Sequence, residues 1–252
     1  MQSVVTMNKR VGPDIYVLGM QAPGIAETVL PGQFINIRVL DSFQPLLRRP
    51  FSVYRVSGDE IQIIFNIVGI GTGILHNKTK ADILDIIGPL GCSFGTDDSY
   101  ETAILVGGGM GVAPLPILCD HLKGKKKAVT FLGARSGDYL IPEYLENPFL
   151  ATDDGSAGLK GTVVDLLRTE LKPGRFPNPK IFACGPNRML KGVSQFAAEA
   201  DIPCELSLES VMGCGIGICQ GCPVENSGGP KKYSLICKDG PVFNSKMISI
   251  VV

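Results

Sequence analysis

Four cysteines near the C-terminal end stand at a spacing that chemistry can use. Four residues separate Cys214 from Cys219, two separate Cys219 from Cys222, and fourteen separate Cys222 from Cys237. This C-x4-C-x2-C…C order is the plant-type spacing of thiolates around a [2Fe–2S] cluster. Gly213, Gly215, Gly217 and Gly221 are interleaved with them. A loop that wraps a cluster needs left-handed backbone and N–H groups brought close to sulfur, and glycine permits both. Structural zinc more usually shows two C-x2-C knuckles or His ligands. Here there is one C-x2-C and no nearby His. A disulfide framework belongs to small secreted domains. Cys214, Cys219, Cys222 and Cys237 are therefore read as ligands of an iron–sulfur cluster, with zinc as the second reading.

A second set of residues is suited to phosphate and to flat rings. In Leu47-Arg-Arg-Pro-Phe-Ser-Val53, Pro50 cannot donate to a sheet ladder and belongs at an edge or strand end. Arg49 is a fixed charge with a planar fork that matches phosphate. Ser52 is a small donor and acceptor. Gly69-Ile-Gly-Thr72 puts glycines and a hydroxyl at a helix entry, where an anion can be held, though Gly-Thr is also an ordinary helix start. Gly107-Gly-Gly-Met-Gly-Val-Ala-Pro114 follows an apolar strand. It departs from the strict G-x-G-x-x-G fingerprint, because Val112 stands at the third glycine position. It still puts glycines at the carboxyl end of a strand, where open α/β sheets bind nucleotides. Cys184-Gly-Pro186 ends a later strand on the same edge, so Cys184 either packs in the core or faces a nicotinamide.

Two kinds of periodicity must position these groups. Phe34–Val39 alternates through Ile35, Ile37 and Val39, and Glu60–Ile67 through Ile61, Ile63, Phe65 and Ile67. Pro31-Gly32 and Ser57-Gly58-Asp59 are turns between them. Short strands at this spacing predict an antiparallel barrel or sandwich, with one short helix in 71–80 and a turn at Gly88-Pro-Leu-Gly91 closing it. From residue 101 the pattern changes. Thr102–Val106, Ala128–Leu132 and Lys180–Ala183 read as buried parallel strands; Pro114–Leu122, Thr162–Arg168 and Arg188–Ala200 read as helices. The predicted fold is multi-domain β plus α/β: a flavin-binding β-barrel over 1–99, a Rossmann-like nucleotide-binding domain over 100–206, and a small [2Fe–2S] domain over 207–252.

Composition narrows the partners. The 252 residues are 44% hydrophobic and 19% charged with zero net charge. That gives no reason to expect nucleic acid or an anionic membrane surface. No apolar run reaches membrane-spanning length, and the N-terminal MQSVVTMNKR carries no apolar signal region. The eight Cys are then expected as thiols or ligands in a reducing cytoplasm, with Cys92, Cys119 and Cys204 as buried thiols. The run Lys123–Lys127 reads as a solvated loop.

LRRPFS, GIGTG, GPLG, VGGGMGVAPL and ACGP, in that order, resemble the ferredoxin–NADP⁺ reductase superfamily. The tail LESVMGCGIGICQGC…ICKDGPVF narrows the likeness to the electron-transfer subunits of type B, NAD-dependent dihydroorotate dehydrogenases of pyrimidine synthesis. The resemblance spans essentially the whole chain. It implies FAD held by Arg49, Pro50, Phe51 and Ser52, by Ile64, Phe65 and Asn66, and at its pyrophosphate by Gly71 and Thr72. It implies NAD at Gly108, Gly109 and Gly111 and near Cys184, Gly185 and Pro186, and the cluster at the four Cys. It also implies a partner: an FMN-containing dihydroorotate dehydrogenase chain, two of each chain forming a heterotetramer, with the Cys-rich tail facing it. Hydride transfer needs no side-chain acid or base, so no catalytic residue is assigned. The alternative is the flavin and iron–sulfur subunit of a ferredoxin:NADP⁺ oxidoreductase or of a sulfhydrogenase. The purified chain is expected to be brown-yellow and to hold iron and inorganic sulfide in equal amounts. Metal analysis with an EPR spectrum after anaerobic reduction checks this, and a colourless zinc protein would refute it.

Overall fold

The computed structural model of the chain describes every residue except Asp98, Asn147 and Val252. Strands β1 (Gln2–Gly12), β2 (Ile15–Gln21), β3 (Phe34–Arg38), β4 (Arg49–Ser52), β5 (Arg55–Ser57), β6 (Glu60–Asn66) and β7 (Ile83–Leu90) pair antiparallel in the order β4-β3-β7-β1-β2-β6-β5. The two edge strands, β4 and β5, follow one another with only Val53 and Tyr54 between them. Val53 N–H donates to the Gln33 carbonyl (3.2 Å) and Tyr54 N–H to that of Gln62 (2.8 Å), which curls the sheet into a barrel. Ile35, Ile37, Ile61, Ile63 and Phe65 fill its interior, as a period of two requires. Ile64 points the other way and is buried too, in a core shared with the next domain. Pro50 lies on an edge strand, where its missing N–H costs nothing.

Two short helices decorate the barrel, α1 (Pro23–Ala26) and α2 (Ile70–His76). The expected turn at Gly88–Gly91 is not one. Gly88, Pro89 and Leu90 belong to β7, where the register against β3 shifts between Phe34 and Asn36. Gly88 is needed there because a Cβ would press on Ile35 Cγ2 at 2.7 Å.

Strands β8 (Thr102–Gly108), β9 (Lys127–Ala134), β10 (Phe149–Thr152), β11 (Leu159–Lys160), β12 (Pro179–Cys184) and β13 (Cys204–Ser207) form a parallel sheet in the order β11-β10-β9-β8-β12-β13. Helix α3 (Leu115–Leu122) covers one face through Leu115, Leu118 and Leu122. Helices α4 (Val163–Glu170) and α5 (Asn187–Glu199) cover the other through Leu166, Leu167, Leu190 and Val193. With helices on both faces, β8 is buried along its whole length, which is why it reads as an unbroken apolar run.

The tail supplies β14 (Pro223–Asn226), β15 (Tyr233–Leu235), β16 (Val242–Asn244) and β17 (Ile248–Ser249). Three of them form a small sheet in the order β15-β14-β17. The fourth, β16, pairs antiparallel with β13 and so extends the parallel sheet. The segment after 206 is thus stitched into its neighbour rather than standing apart. Among the described residues, no helix is long and apolar enough to cross a membrane.

A buried ion pair holds the connection between barrel and sheet. Lys180 on β12, 3% exposed, reaches Glu205 Oε1 on β13 at 2.9 Å and the Gly95 carbonyl at 2.8 Å. Gly95 N–H donates to the other Glu205 oxygen (2.8 Å). Removing one member of such a pair leaves the other charge buried without compensation. Lys180→Met is therefore expected to lower unfolding stability by about 3 kcal/mol, measured by urea denaturation.

Candidate functional site

Between barrel and parallel sheet lies a cavity of about 270 Å³. Pro50, Phe51 and Ser52 of β4 and Ile64, Phe65 and Asn66 of β6 line its barrel side, with Thr72 of α2. The two segments come together because β4 and β6 meet where the barrel closes. Thr72 Oγ1 accepts the N–H groups of Val68 (2.9 Å) and Gly69 (3.3 Å), which shapes the GIGTG entry to α2. Arg49 lies across Gly71: a Cβ there would stand 2.8 Å from Arg49 Nε. The two candidate phosphate-binding motifs, remote in sequence, are thus one feature, a guanidinium laid over a glycine beside a buried hydroxyl.

The far wall of this cavity holds residues that sequence reasoning missed. Phe34 comes from β3, Met110 and Ala113 from the turn after β8, and Glu209, Ser210 and Met212 from the approach to the Cys-rich loop. Glu209 is exposed where it opens into the cavity, and the protein around its carboxyl desolvates it in part and pushes it above the usual range. Its one sequence signal is its place in LES, five residues before Cys214.

A second cavity, of about 700 Å³, opens at the carboxyl ends of β8, β9 and β10. Gly108, Gly109 and Pro186 line it, as do Arg135, Tyr139, Asp153, Thr162 and Arg188. Thr162 caps α4: its Oγ1 accepts Asp165 N–H (3.2 Å), and Asp165 Oδ2 accepts Thr162 N–H (2.9 Å). Arg135 is held over the Tyr139 ring, 4.9 Å from its centroid. The two cavities share Asn66 and Met110, so ligands in them would meet end to end there.

Cys184, 2% exposed, lines neither cavity. Burial pushes its thiol well above the ordinary range. Gly111 and Gly185 do not line the second cavity either. A Cβ on Gly111 would run into the Cys184 carbonyl, so close backbone packing accounts for that glycine, whereas one on Gly185 would meet only the flexible end of Met189, its Cε at 2.6 Å. Cys119 and Cys204 are buried, as expected, but Cys92 is exposed, its thiol 3.6 Å from the Lys238 carbonyl.

The four-Cys loop sits beside the first cavity. Ile216 and Cys219 N–H groups donate to Cys214 Sγ (both 3.4 Å), Gly217 N–H to Cys237 Sγ (3.1 Å), and Cys237 N–H to Cys222 Sγ (3.4 Å). Gly215 and Gly217 take left-handed backbone, φ 72° and 85°, to turn these groups inward. The donors from Cys219 and Ile216 draw the Cys214 thiol down to about 6, whereas burial and the adjacent Cys222 push Cys237 up to about 12. Among the described residues, no three Cys, His, Asp or Glu side chains gather as a single-ion site. Backbone N–H groups instead converge on the sulfurs of Cys214, Cys222 and Cys237, as they do around thiolates that hold iron and sulfide. The donor set fits a [2Fe–2S] cluster.

Comparison with known proteins bears on the same residues. The chain is 38% identical to the dihydroorotate dehydrogenase B (NAD(+)) electron transfer subunit of Desulforamulus reducens, over 93% of this chain and 92% of that one. It is 36% identical to the same subunit of a Geobacillus species, over 97% and 96%. The chain belongs to this family of electron-transfer subunits. Residues 209–249 match the iron-sulfur cluster binding domain of dihydroorotate dehydrogenase B. Among solved structures, an NADH-dependent reduced ferredoxin-NADP oxidoreductase superposes with a TM-score of 0.87 at 30% identity, covering 98% of this chain and 90% of that one. A ferredoxin-NADP+ reductase from Plasmodium falciparum, at 14% identity and a TM-score of 0.65 over 79% and 90% of the two chains, shares the fold. FAD, a [2Fe–2S] cluster and NAD as electron acceptor fit a dihydroorotate dehydrogenase B electron-transfer subunit with these cavities and thiols. Arg49→Met is expected to weaken FAD retention by about tenfold or more if, as the family resemblance implies, the guanidinium over Gly71 meets the flavin pyrophosphate. Flavin remaining after dilution and ultrafiltration measures it.

Proposed function

We propose that this electron-transfer subunit accepts electrons from the FMN of a dihydroorotate-oxidising partner chain and delivers them to NAD⁺, in the cytoplasm, within a heterotetramer of two of each chain. The observation that carries the reading is the contiguity of three sites: a dinucleotide cavity, a ring-lined cavity joined to it at Asn66 and Met110, and a four-thiol loop whose Met212 reaches the second of these.

When bound, the cofactors supply hydride exchange with NAD⁺ and single-electron exchange with the cluster. The side chains bind and orient. Arg49, with Gly71 and Thr72, holds the flavin pyrophosphate. Pro50, Phe51 and Ser52, together with Ile64, Phe65 and Asn66, form the barrel wall against which the flavin ring would lie. Gly108 and Gly109 let the backbone approach the second dinucleotide, and Pro186 borders it. Asn66 and Met110 fix where the two ligands touch. Cys214, Cys219, Cys222 and Cys237 hold the cluster. Cys219 is exposed, and Val211, Ile216 and Ile218 around it are exposed and apolar, which suits a face that docks on the electron-donating chain.

The likeness to a reduced ferredoxin-NADP oxidoreductase supports a second reading, with a ferredoxin-linked partner. The curated relatives, at 33 to 38% identity, favour the first. Cys219→Ala is expected to leave FAD bound and NADH-driven dye reduction largely intact while abolishing dihydroorotate-dependent NAD⁺ reduction by the complex. Assay of both activities on the purified complex decides it, and full retention of the second would refute the route through the cluster.

A further inference from the structure

We infer that Asn36 is a positioning residue that ties the flavin-binding strand to the cluster loop and so governs electron exchange between them. The inference rests on the cofactor reading above and not on the identity of the partner chain. Asn36 lies on β3 directly opposite Pro50 of β4. It shares its side of β3 with Phe34, two residues away, which lines the flavin cavity. Its Nδ2 donates to the carbonyl of Cys214, 178 residues along the chain, at 3.1 Å. A cluster ligand is thus bonded to the strand that pairs with the ring-binding segment.

Support of the fold alone does not explain this side chain. Asn36 is 1% exposed, and its Oδ1 is buried without a hydrogen-bond partner. An amide with one orphaned acceptor is a poor choice for packing. Ile35 and Ile37 beside it already fill the barrel interior. The loop is shaped to receive it: Gly215, at φ 72°, lies against the amide, and a Cβ there would collide with Nδ2. From the other side Arg48, paired with Asp85, also donates to the Asp85 carbonyl (2.8 Å), bracing β7 beside β3.

The test uses the full chain loaded with FAD and cluster, reduced by NADH alone in a stopped-flow instrument, with EPR of the frozen product. Asn36→Leu keeps the volume and removes the donor. Flavin bleaching by NADH is expected at the wild-type rate. Cluster reduction is expected to slow by roughly tenfold, within the ~100-fold that a 1 Å misplacement can cost, and the cluster EPR signal to shift. Asn36→Asp, which replaces the donor by an acceptor, should match it. Wild-type cluster reduction with an unshifted signal would overturn the inference, as would equal slowing of flavin bleaching. If Asn36→Leu does not fold, Gly215→Ala displaces the same amide from the loop side, and a wild-type rate of cluster reduction there overturns it. A wild-type chain with no cluster signal would overturn this inference together with the cofactor reading beneath it. A normal wild-type signal with an unaffected Asn36→Leu overturns this inference alone.

Discussion

Cys222 and Cys237 are buried in the same apolar core as Leu166, Leu190 and Val193 on the α4–α5 side of the parallel sheet. Thiolates are costly in such surroundings unless positive charge stands beside them. That constraint joins the fold to the chemistry. The tail packs sulfur into this core, and a thiolate there needs the positive charge of bound metal beside it. The other pair of thiols is placed differently, with Cys219 open to solvent and Cys214 supplied with backbone donors. One pair is anchored in the core and the other presented outward.

The two cavities obey a matching logic. The dinucleotide cavity lies at the carboxyl ends of parallel strands, where an open sheet exposes its backbone. The ring-lined cavity lies where the barrel closes, so that one wall comes from each domain and a third from the approach to the Cys-rich loop. A ligand in the middle site therefore touches all three parts of the chain. The buried Lys180–Glu205 pair, with Gly95 between its arms, fixes how barrel and sheet face each other across that site.

What the sequence made legible was whatever local spacing encodes. The thiol spacing, the strand-edge Pro50 with its neighbouring Arg49, the GIGTG entry and the glycine turn after β8 all act through positions near one another in the chain. The elements were legible for the same reason, since β3, β6 and β8 carry their burial in their periodicity. What stayed hidden depends on contacts made only after folding. Asn36 reads as a polar gap in an alternating strand until the loop 178 residues away reaches it. Glu209 and Met212 gain their place only when the tail returns to the barrel. Cys184 ends a strand and Gly111 lies in the turn after one at the same edge, so both read as ligand-facing, yet they pack on each other. Gly88 and Pro89 carry every local mark of a turn, but the bulge opposite Ile35 keeps them in β7.

The pairing of β16 with β13 has a consequence for the life of the cofactor. The backbone leaves the parallel sheet at Ser207, forms the thiol loop, and rejoins the same edge at Val242, the residue paired with Ser207. Both ends of the excursion are therefore pinned side by side by main-chain hydrogen bonds, whatever occupies the space between. A loop whose ends are already together has little closure entropy left to lose. Loss of iron to an oxidant would leave a tethered hoop with its sulfurs near their places, ready to be rebuilt without dismantling the nucleotide domain on which it is hung.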